Sequence, residues 1–260
     1  MHFLGIDIGS SYTKLTVIDS QNRFQYQQIL KTLNRDKQLF SDTLKFIYTN
    51  FSIANICATG YGREHFKDAH INKTEIHCAS IAVSNLYPVD KTILDIGGED
   101  IKVIKSLANG KVDDFYMNTK CAAGTGTFIT EIAERAELDL SKMSELAAAS
   151  SFNSELNSFC TVFAKTEITK WIFDEVPVQD IARGIYISIV NRIAKIRMDK
   201  SLPLYLVGGV IAFHPYLKTL MEEKFKQEVI VPDKPQLINS LGAALVAKNY
   251  AENKIKEKIK

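Results

Sequence analysis

Two short segments of the sequence place a carboxylate and a glycine at the end of an apolar strand pattern. Asp7-Ile8-Gly9 and Asp95-Ile96-Gly97 share this arrangement and lie 88 residues apart. Glycine allows the backbone N–H groups of the following turn to approach a phosphate closely, and the carboxylate can orient water around Mg²⁺. One such segment is a common hairpin. Two of them, together with a late Gly-Gly turn, predict a site for a triphosphate and its metal ion.

The predicted nucleotide site draws on several parts of the chain. Asp7, Asp95 and Glu99 are the candidate catalytic carboxylates, and the sequence does not rank Asp95 against Glu99. A Val-Gly-Gly turn follows a late apolar strand, where small residues allow an adenosine to approach the backbone. The candidate nucleotide-binding residues are Gly9, Ser10, Ser11, Gly97, Gly98, Gly124, Gly126, Gly208, Gly209 and Gly242.

Two of the four cysteines, Cys121 and Cys160, lie just ahead of predicted helices. The start of a helix offers N–H groups without intrahelical acceptors and the positive end of the helix dipole, so a thiolate is stabilised there. The alternative is that each is a small buried side chain. Cys57 lies within an apolar strand pattern and is expected in the core. Cys78 has two alternatives, a buried residue of the core or, with less support, a metal ligand together with His77.

The composition is that of an ordinary globular protein. The chain has 260 residues, of which 46% are hydrophobic and 24% charged, with a formal net charge of +2. This charge is too small to indicate nucleic acid or an anionic membrane as the main partner. The sequence contains no apolar run of about 18 residues and begins without the basic region of a signal peptide. We therefore expect a cytoplasmic location, where cysteines remain reduced.

The hydrophobic pattern predicts two related α/β halves that face one another across a cleft, because the strand–turn–strand pattern around Asp7 recurs around Asp95. The predicted domains are residues 1–88 with 240–260, and residues 89–239. After the second hairpin the chain is expected to be largely helical, and Ser240 is expected to cap the final helix. The predicted strands are 4–8, 14–19, 24–30, 53–58, 93–104 as a hairpin, and 204–207; the predicted helices are 40–51, 125–136, 161–173, 178–198 and one that begins at 241.

The three glycine elements together resemble those of the actin, Hsp70 and sugar-kinase superfamily of two-domain ATPases. That resemblance implies two ribonuclease-H-like domains around an ATP cleft. A narrower resemblance rests on four motifs, and it extends over residues 5–247. The motifs are MNTKCAAGTG (117–126), CTVFA (160–164), ATGYGR (58–63) and DIGG (95–98). Together they are similar to the ATP-dependent activators of 2-hydroxyacyl-CoA dehydratases, in the family that also contains benzoyl-CoA reductase ATPase subunits.

The narrower resemblance implies ATP hydrolysis with Mg²⁺ and one 4Fe-4S cluster shared across a homodimer. Each subunit of the family gives two cysteines to the cluster, and these map onto Cys121 and Cys160. The implied role is in anaerobic metabolism, where an electron from ferredoxin or flavodoxin passes to a dehydratase or a related reductase. The chain departs from the family pattern at Glu99, where glutamine is common, and at Phe213-His214, where Lys-Asn is common. At these two positions the resemblance does not define how ATP is hydrolysed or which partner protein is bound.

Two other functions fit the same fold. A sugar or small-metabolite kinase would use the site for phosphoryl transfer and would not need either cysteine. A nucleotide-regulated binding protein would bind ATP without delivering an electron.

Overall fold

The computed structural model describes residues 1–32, 38–118, 125–157 and 160–259. The chain divides into two compact units. The first comprises Met1–Val89, Ser106–Asp113 and Leu237–Lys260, and the second comprises Asp90–Lys105 and Asp114–Gln236. The division into two domains at the predicted boundaries stays a prediction. In the described part of the chain, no helix is both long enough and apolar enough to cross a membrane.

The first unit is built on a five-stranded sheet in the order β3-β2-β1-β4-β5. The chain begins with β1 (His2–Ile8), β2 (Tyr12–Asp19), β3 (Phe24–Lys31), α1 (Gln38–Asn50), β4 (Ile53–Thr59), β5 (Ile71–Asn72) and α2 (Glu75–Leu86). Strand β1 pairs antiparallel with β2 and parallel with β4. Alternate side chains of β1 and β2 pack with Ile47 of α1 into a core on one face of the sheet.

The second unit contains a five-stranded sheet in the order β10-β9-β6-β7-β8. Its elements are β6 (Lys91–Ile96), β7 (Ile101–Ser106), β8 (Val112–Asn118), α3 (Gly126–Arg135), α4 (Met143–Ala148), α5 (Thr161–Phe173), α6 (Val178–Ile193), β9 (Leu204–Val207), α7 (Gly209–Phe213), α8 (Tyr216–Phe225) and β10 (Val229–Ile230). The last helix, α9 (Ile238–Ile259), belongs to the first unit.

Both sheets have the same topology. Numbered within its own sheet, each strand order is 3-2-1-4-5, and the central strands β1 and β6 each pair in parallel with the fourth strand, β4 or β9. This repetition confirms the duplication that the 88-residue spacing predicts. It also confirms the predicted α/β fold class.

Most predicted elements agree with the structure, but some differ, and helix α2 was not predicted at all. Helix α6 ends at Ile193, five residues before the predicted end. The region after the second hairpin contains a further strand, β8, which the prediction of a largely helical region missed. Helix α9 begins at Ile238, so the prediction that Ser240 caps it is wrong. The Ser240 hydroxyl instead donates to the carbonyl oxygen of Leu237 and contacts the hydroxyl of Thr16.

Candidate functional site

Asp7 lies near the end of β1 with only 1% of its surface exposed. Its Oδ2 forms an ion pair with Nζ of Lys14, 3.0 Å away, because Lys14 lies directly opposite Asp7 on β2. Its Oδ1 has no hydrogen-bond partner within the described parts of the chain. A buried carboxylate oxygen without a partner is costly, so a water molecule or a metal ion fits here. The role of Asp7 toward Mg²⁺ stays a prediction.

The turn after β1 is a tight turn that joins β1 to β2. It is closed by a hydrogen bond from the N–H of Gly9 to the carbonyl oxygen of Tyr12, at 3.1 Å. Ser10 is half-buried and Ser11 is exposed at the centre of this turn. A β-carbon on Gly9 would lie 3.1 Å from Nζ of Lys14. Glycine therefore leaves space beside the lysine where a phosphate oxygen could approach.

The second loop repeats this arrangement within the second unit. Asp95 is 2% exposed near the end of β6, and Nζ of Lys102 lies 3.9 Å from its Oδ2 and 2.7 Å from Oδ1 of Asp100. The N–H of Gly97 donates to the carbonyl oxygen of Asp100, at 2.9 Å. Lys14 and Lys102 were not predicted as site residues. The 88-residue spacing could have found them, because it relates the lysines as it relates the carboxylates.

A glycine from the neighbouring parallel strand approaches each carboxylate. Gly60 follows β4 with φ +89°, and Gly208 follows β9 with φ +101°. A β-carbon would lie 2.6 Å from Oδ1 of Asp7 at Gly60, and 2.5 Å from Oδ1 of Asp95 at Gly208. Both glycines are thus required by a left-handed backbone and by close packing. Gly208 was predicted as a site residue, whereas Gly60 is identified only by its equivalence to Gly208.

The other predicted nucleotide residues occupy different environments. Glu99 is exposed in the second loop, unlike the buried Asp95, but which of the two acts in hydrolysis stays a prediction. The nearest atom to a β-carbon on Gly209 would be Nε2 of Gln236 at 3.7 Å, so this side of the backbone is open. A β-carbon on Gly242 would overlap the carbonyl oxygen of Cys78. Close packing of α9 against α2 therefore suffices to explain Gly242, and its predicted role in binding stays a prediction.

The start of α3 is hydrogen-bonded to the second loop. The N–H of Gly126 donates to the carbonyl oxygen of Gly97 at 3.0 Å, and the N–H of Thr127 donates to that of Gly98 at 2.8 Å. The hydroxyl of Thr127 donates to the same Gly98 oxygen at 2.7 Å. The expectation that this helix start offers free N–H groups is wrong for these two residues. Cys121 and Gly124, which precede the helix, lie outside the described residues.

Cys160 immediately precedes α5 and is exposed, which agrees with its predicted place at a helix start. Helix α5 is connected to α3 by polar contacts. Nζ of Lys165 pairs with Oε2 of Glu131 at 2.7 Å, and the Arg135 guanidinium donates to the Thr169 hydroxyl through Nε at 3.0 Å and Nη2 at 2.7 Å. A continuous set of contacts therefore leads from the second loop through α3 to the helix that begins after Cys160.

The other two cysteines are buried, in agreement with the core prediction for Cys57. Neither side chain has any exposed surface. A hydrogen bond with Cys57 is the largest cause, and burial the second, that raises the pKa of the Cys78 thiol well above its usual range. Throughout residues 1–32, 38–118, 125–157 and 160–259, no group of three or more histidine, cysteine, aspartate or glutamate side chains is placed to hold a metal ion. The weak metal role considered for Cys78 therefore has no support among these residues.

His214 is 7% exposed at the end of α7. Its Nδ1 lies 2.7 Å from the hydroxyl oxygen of the fully buried Tyr186. Burial lowers the pKa of His214 from 6.5 to about 4, and burial raises the pKa of Tyr186 to about 12. Both side chains are therefore neutral near pH 7.

Lowering the pH is expected to destabilise the second unit through His214. The unfolded chain binds a proton near pH 6.5 and the folded chain only near pH 4, so stability falls as the pH drops through this range, by about 3 kcal/mol in all. Urea unfolding at pH 7.5, 6 and 5 would measure this loss. The variant His214→Gln should show a flatter pH profile. An unchanged profile in the variant would show that His214 does not carry the effect.

Comparisons with known proteins identify the family of this chain. The model of the BadF/BadG/BcrA/BcrD ATPase family matches residues 4–247. The 2-hydroxyisocaproyl-CoA dehydratase activator of Clostridioides difficile is 33% identical over 264 residues, which cover 99% of this chain and 98% of that protein. The solved structure of the activator of the 2-hydroxyisocaproyl-CoA dehydratase from Clostridium difficile, with bound ADPNP, has a TM-score of 0.89 at 32% identity and covers 99% of this chain and 98% of its own.

A more distant similarity concerns the fold alone. The structure of a ROK family glucokinase from Streptomyces griseus, in complex with glucose and AMPPNP, has a TM-score of 0.58 at 10% identity, covering 96% of this chain and all of that one. This agrees with the predicted actin, Hsp70 and sugar-kinase type of fold. The duplicated loops and the match over nearly the whole sequence lead to a narrower assignment: the chain belongs to the BadF/BadG/BcrA/BcrD ATPase family.

Proposed function

We propose that this ATPase is an iron–sulfur electron donor that activates a 2-hydroxyacyl-CoA dehydratase or a related reductase. The observation that carries the proposal is the hydrogen-bonded connection between the second loop and α3, since α3 also contacts the helix that begins after Cys160. A predicted phosphate loop is thereby linked to a predicted cluster ligand. The relative named as a dehydratase activator, similar over its whole length, supports the same function.

ATP hydrolysis is assigned to the loops that follow β1 and β6. Oδ1 of Asp7 would hold Mg²⁺ through water, and the ion when bound would neutralise phosphate charge. Lys14, beside Gly9, would contact a phosphate oxygen, because its ammonium group is held at the loop by Asp7. Asp95 or Glu99 would orient the attacking water. The relative whose structure contains bound ADPNP supports nucleotide binding by this fold.

Electron transfer is assigned to Cys121 and Cys160. Two chains would together supply four thiolates, which is the number that one 4Fe-4S cluster requires. The exposed position of Cys160 suits a ligand shared with a second copy, and the positive end of the α5 dipole favours an anionic group there. Ferredoxin or flavodoxin would supply the electron. A reducing cytoplasm would keep the thiols available for iron.

The two activities would be coupled through the second unit. A change at Gly97 and Gly98 on nucleotide binding or hydrolysis acts directly on α3, because their carbonyl oxygens accept hydrogen bonds from its first two residues. Helix α3 would transmit the change to α5 through Glu131 and Arg135. For a one-electron transfer, a shift of about 59 mV corresponds to about 1.4 kcal/mol. A modest difference in nucleotide affinity between two conformations could therefore drive the transfer.

An assay of ADP formation distinguishes this proposal from the kinase alternative. We expect anaerobic wild-type protein to form ADP at a rate that a panel of sugars and polyols does not change. The kinase would form ADP and a phosphorylated product only with its acceptor, in air, and the variant Cys160→Ala would not affect it. Acceptor-dependent phosphorylation in both proteins would contradict the proposal. Tight ATP binding without turnover would instead indicate a nucleotide-regulated binding protein.

A further inference from the structure

Thr59 is the residue of β4 that pairs with Asp7 of β1. Paired residues of neighbouring parallel strands direct their side chains to the same face of a sheet, so the Thr59 hydroxyl lies beside the Asp7 carboxylate. Thr59 has no exposed surface. Apart from a weak hydrogen bond to the Cys78 thiol, its Oγ1 has no partner within the described ranges, and Oδ1 of Asp7 has none there. Two buried polar atoms that lack a strong partner therefore lie on the same face of the sheet, on paired residues.

Side chains nearby do not satisfy these two atoms. Lys14 is bound to the other carboxylate oxygen, Oδ2. Cys78 lies close to both Thr59 and Asp7, but the hydrogen bond with Cys57, together with burial, raises its pKa, so it remains a neutral thiol and a weak acceptor. A buried polar group without a strong partner destabilises the fold. The arrangement would thus be stabilised by a small ligand that hydrogen-bonds to both atoms.

Gly60 lies against the Asp7 carboxylate. A side chain there would meet Oδ1 of Asp7 at 2.6 Å, so glycine keeps this oxygen clear of a protein side chain from β4. The second unit lacks the hydroxyl, because the partner of Asp95 on β9 is Val207. The fold itself therefore accepts an aliphatic side chain at this position. Packing alone therefore does not explain the hydroxyl group of Thr59 in the first unit.

We infer that Thr59 is a positioning residue of the ATP site: its hydroxyl and Oδ1 of Asp7 together hold one water molecule of the Mg²⁺ hydration shell. Mg²⁺ usually keeps several of its waters when it binds to a protein, and such water ligands require oriented hydrogen-bond partners. The inference rests on the proposed hydrolysis of ATP at the loop after β1. It assigns metal positioning to the first unit, where the carboxylate has a hydroxyl neighbour.

The test compares Thr59→Val, which is nearly isosteric, with Thr59→Ser, which keeps the hydroxyl. Mn²⁺ serves as a paramagnetic substitute for Mg²⁺, and its binding to the protein–ADP complex is measured by EPR. We expect Thr59→Val to weaken Mn²⁺ binding about tenfold and Thr59→Ser to stay within about twofold of the wild type. ADP affinity measured in EDTA should not change. Thr43→Val is the matched control, because the buried Thr43 hydroxyl donates within α1, to the carbonyl oxygen of Leu39.

Thermal unfolding supplies a second measurement. Without nucleotide, Thr59→Val should unfold at or above the wild-type temperature, because it removes a hydroxyl without a strong partner; with Mg²⁺ and ADP it should gain less stability than the wild type. If Thr59→Val does not fold, Thr59→Ala provides the same comparison. Equal Mn²⁺ affinity in the wild type and the folded variant would overturn this inference and leave ATP hydrolysis intact. Failure of the wild type to bind metal–nucleotide would overturn the proposed function, and this inference with it.

Discussion

Replacing Asp7 by asparagine is expected to lower the rate of ATP hydrolysis by about a hundredfold or more. The substitution keeps the size of the side chain but removes the charge that Oδ1 would present to a hydrated metal ion. It also removes the ion pair that holds Lys14 beside Gly9. ADP release at saturating Mg²⁺ and ATP measures the effect, and circular dichroism shows whether the variant is folded.

The control for this prediction is Asp19→Asn. Asp19 is also a buried carboxylate of the same sheet, but it lies at the opposite end of the β1–β2 pair. It accepts hydrogen bonds from the backbone of Gln21 and Arg23 and from the Arg23 side chain. Its loss should reduce stability with little change in turnover. Wild-type turnover in Asp7→Asn would show that the nucleotide site has been misplaced.

Replacing Gly208 by alanine is expected to destabilise the second unit by about 3 kcal/mol or more. The backbone there has φ +101°, which is unfavourable for alanine, and the added β-carbon would lie 2.5 Å from Oδ1 of Asp95. Strain of the backbone and overpacking each cost on the order of 1–3 kcal/mol. The folded fraction of this variant should also bind ATP more weakly, because Asp95 must move. Urea unfolding and calorimetric ATP titration measure the two effects.

Gly209→Ala is the matched control for stability, one residue further along the chain. A β-carbon at this position would have its nearest neighbour at 3.7 Å, and Gly209 begins helix α7. Its free energy of unfolding should therefore remain within about 0.5 kcal/mol of the wild type. Similar stabilities for the two alanine variants would contradict the packing of Gly208 against Asp95.

The duplicated architecture could be predicted from the sequence because its signals are local. The Asp-Ile-Gly repeat fixes both central strands and their turns, and the start of α5 directly follows Cys160, as predicted. Strand β8 was missed because most of its side chains are exposed. Its sequence therefore lacks the alternation of apolar and polar residues that indicates a half-buried strand. Helix α2 was missed because its buried face consists largely of small residues, such as Ala79 and Ser80.

The candidate site was predicted less completely than the fold, since its remaining parts depend on contacts between strands. Lys14 is placed at the site by its register opposite Asp7, although the 88-residue repeat already relates it to Lys102. Gly60 and Thr59 gain their roles from the parallel pairing of β4 with β1, which sequence spacing does not reveal. The hydrogen bonds between α3 and the second loop are likewise tertiary contacts. For Cys121, the proposed role rests on the motif alone.

Iron and sulfide analysis after anaerobic reconstitution tests the central claim most directly. We predict about four iron and four sulfide ions for every two wild-type chains, with an EPR signal after reduction. Cys160→Ala should lose the cluster, and Cys57→Ala, which removes a buried thiol of the first unit, should retain it. A folded wild-type protein that hydrolyses ATP but holds no cluster after reconstitution would contradict the account.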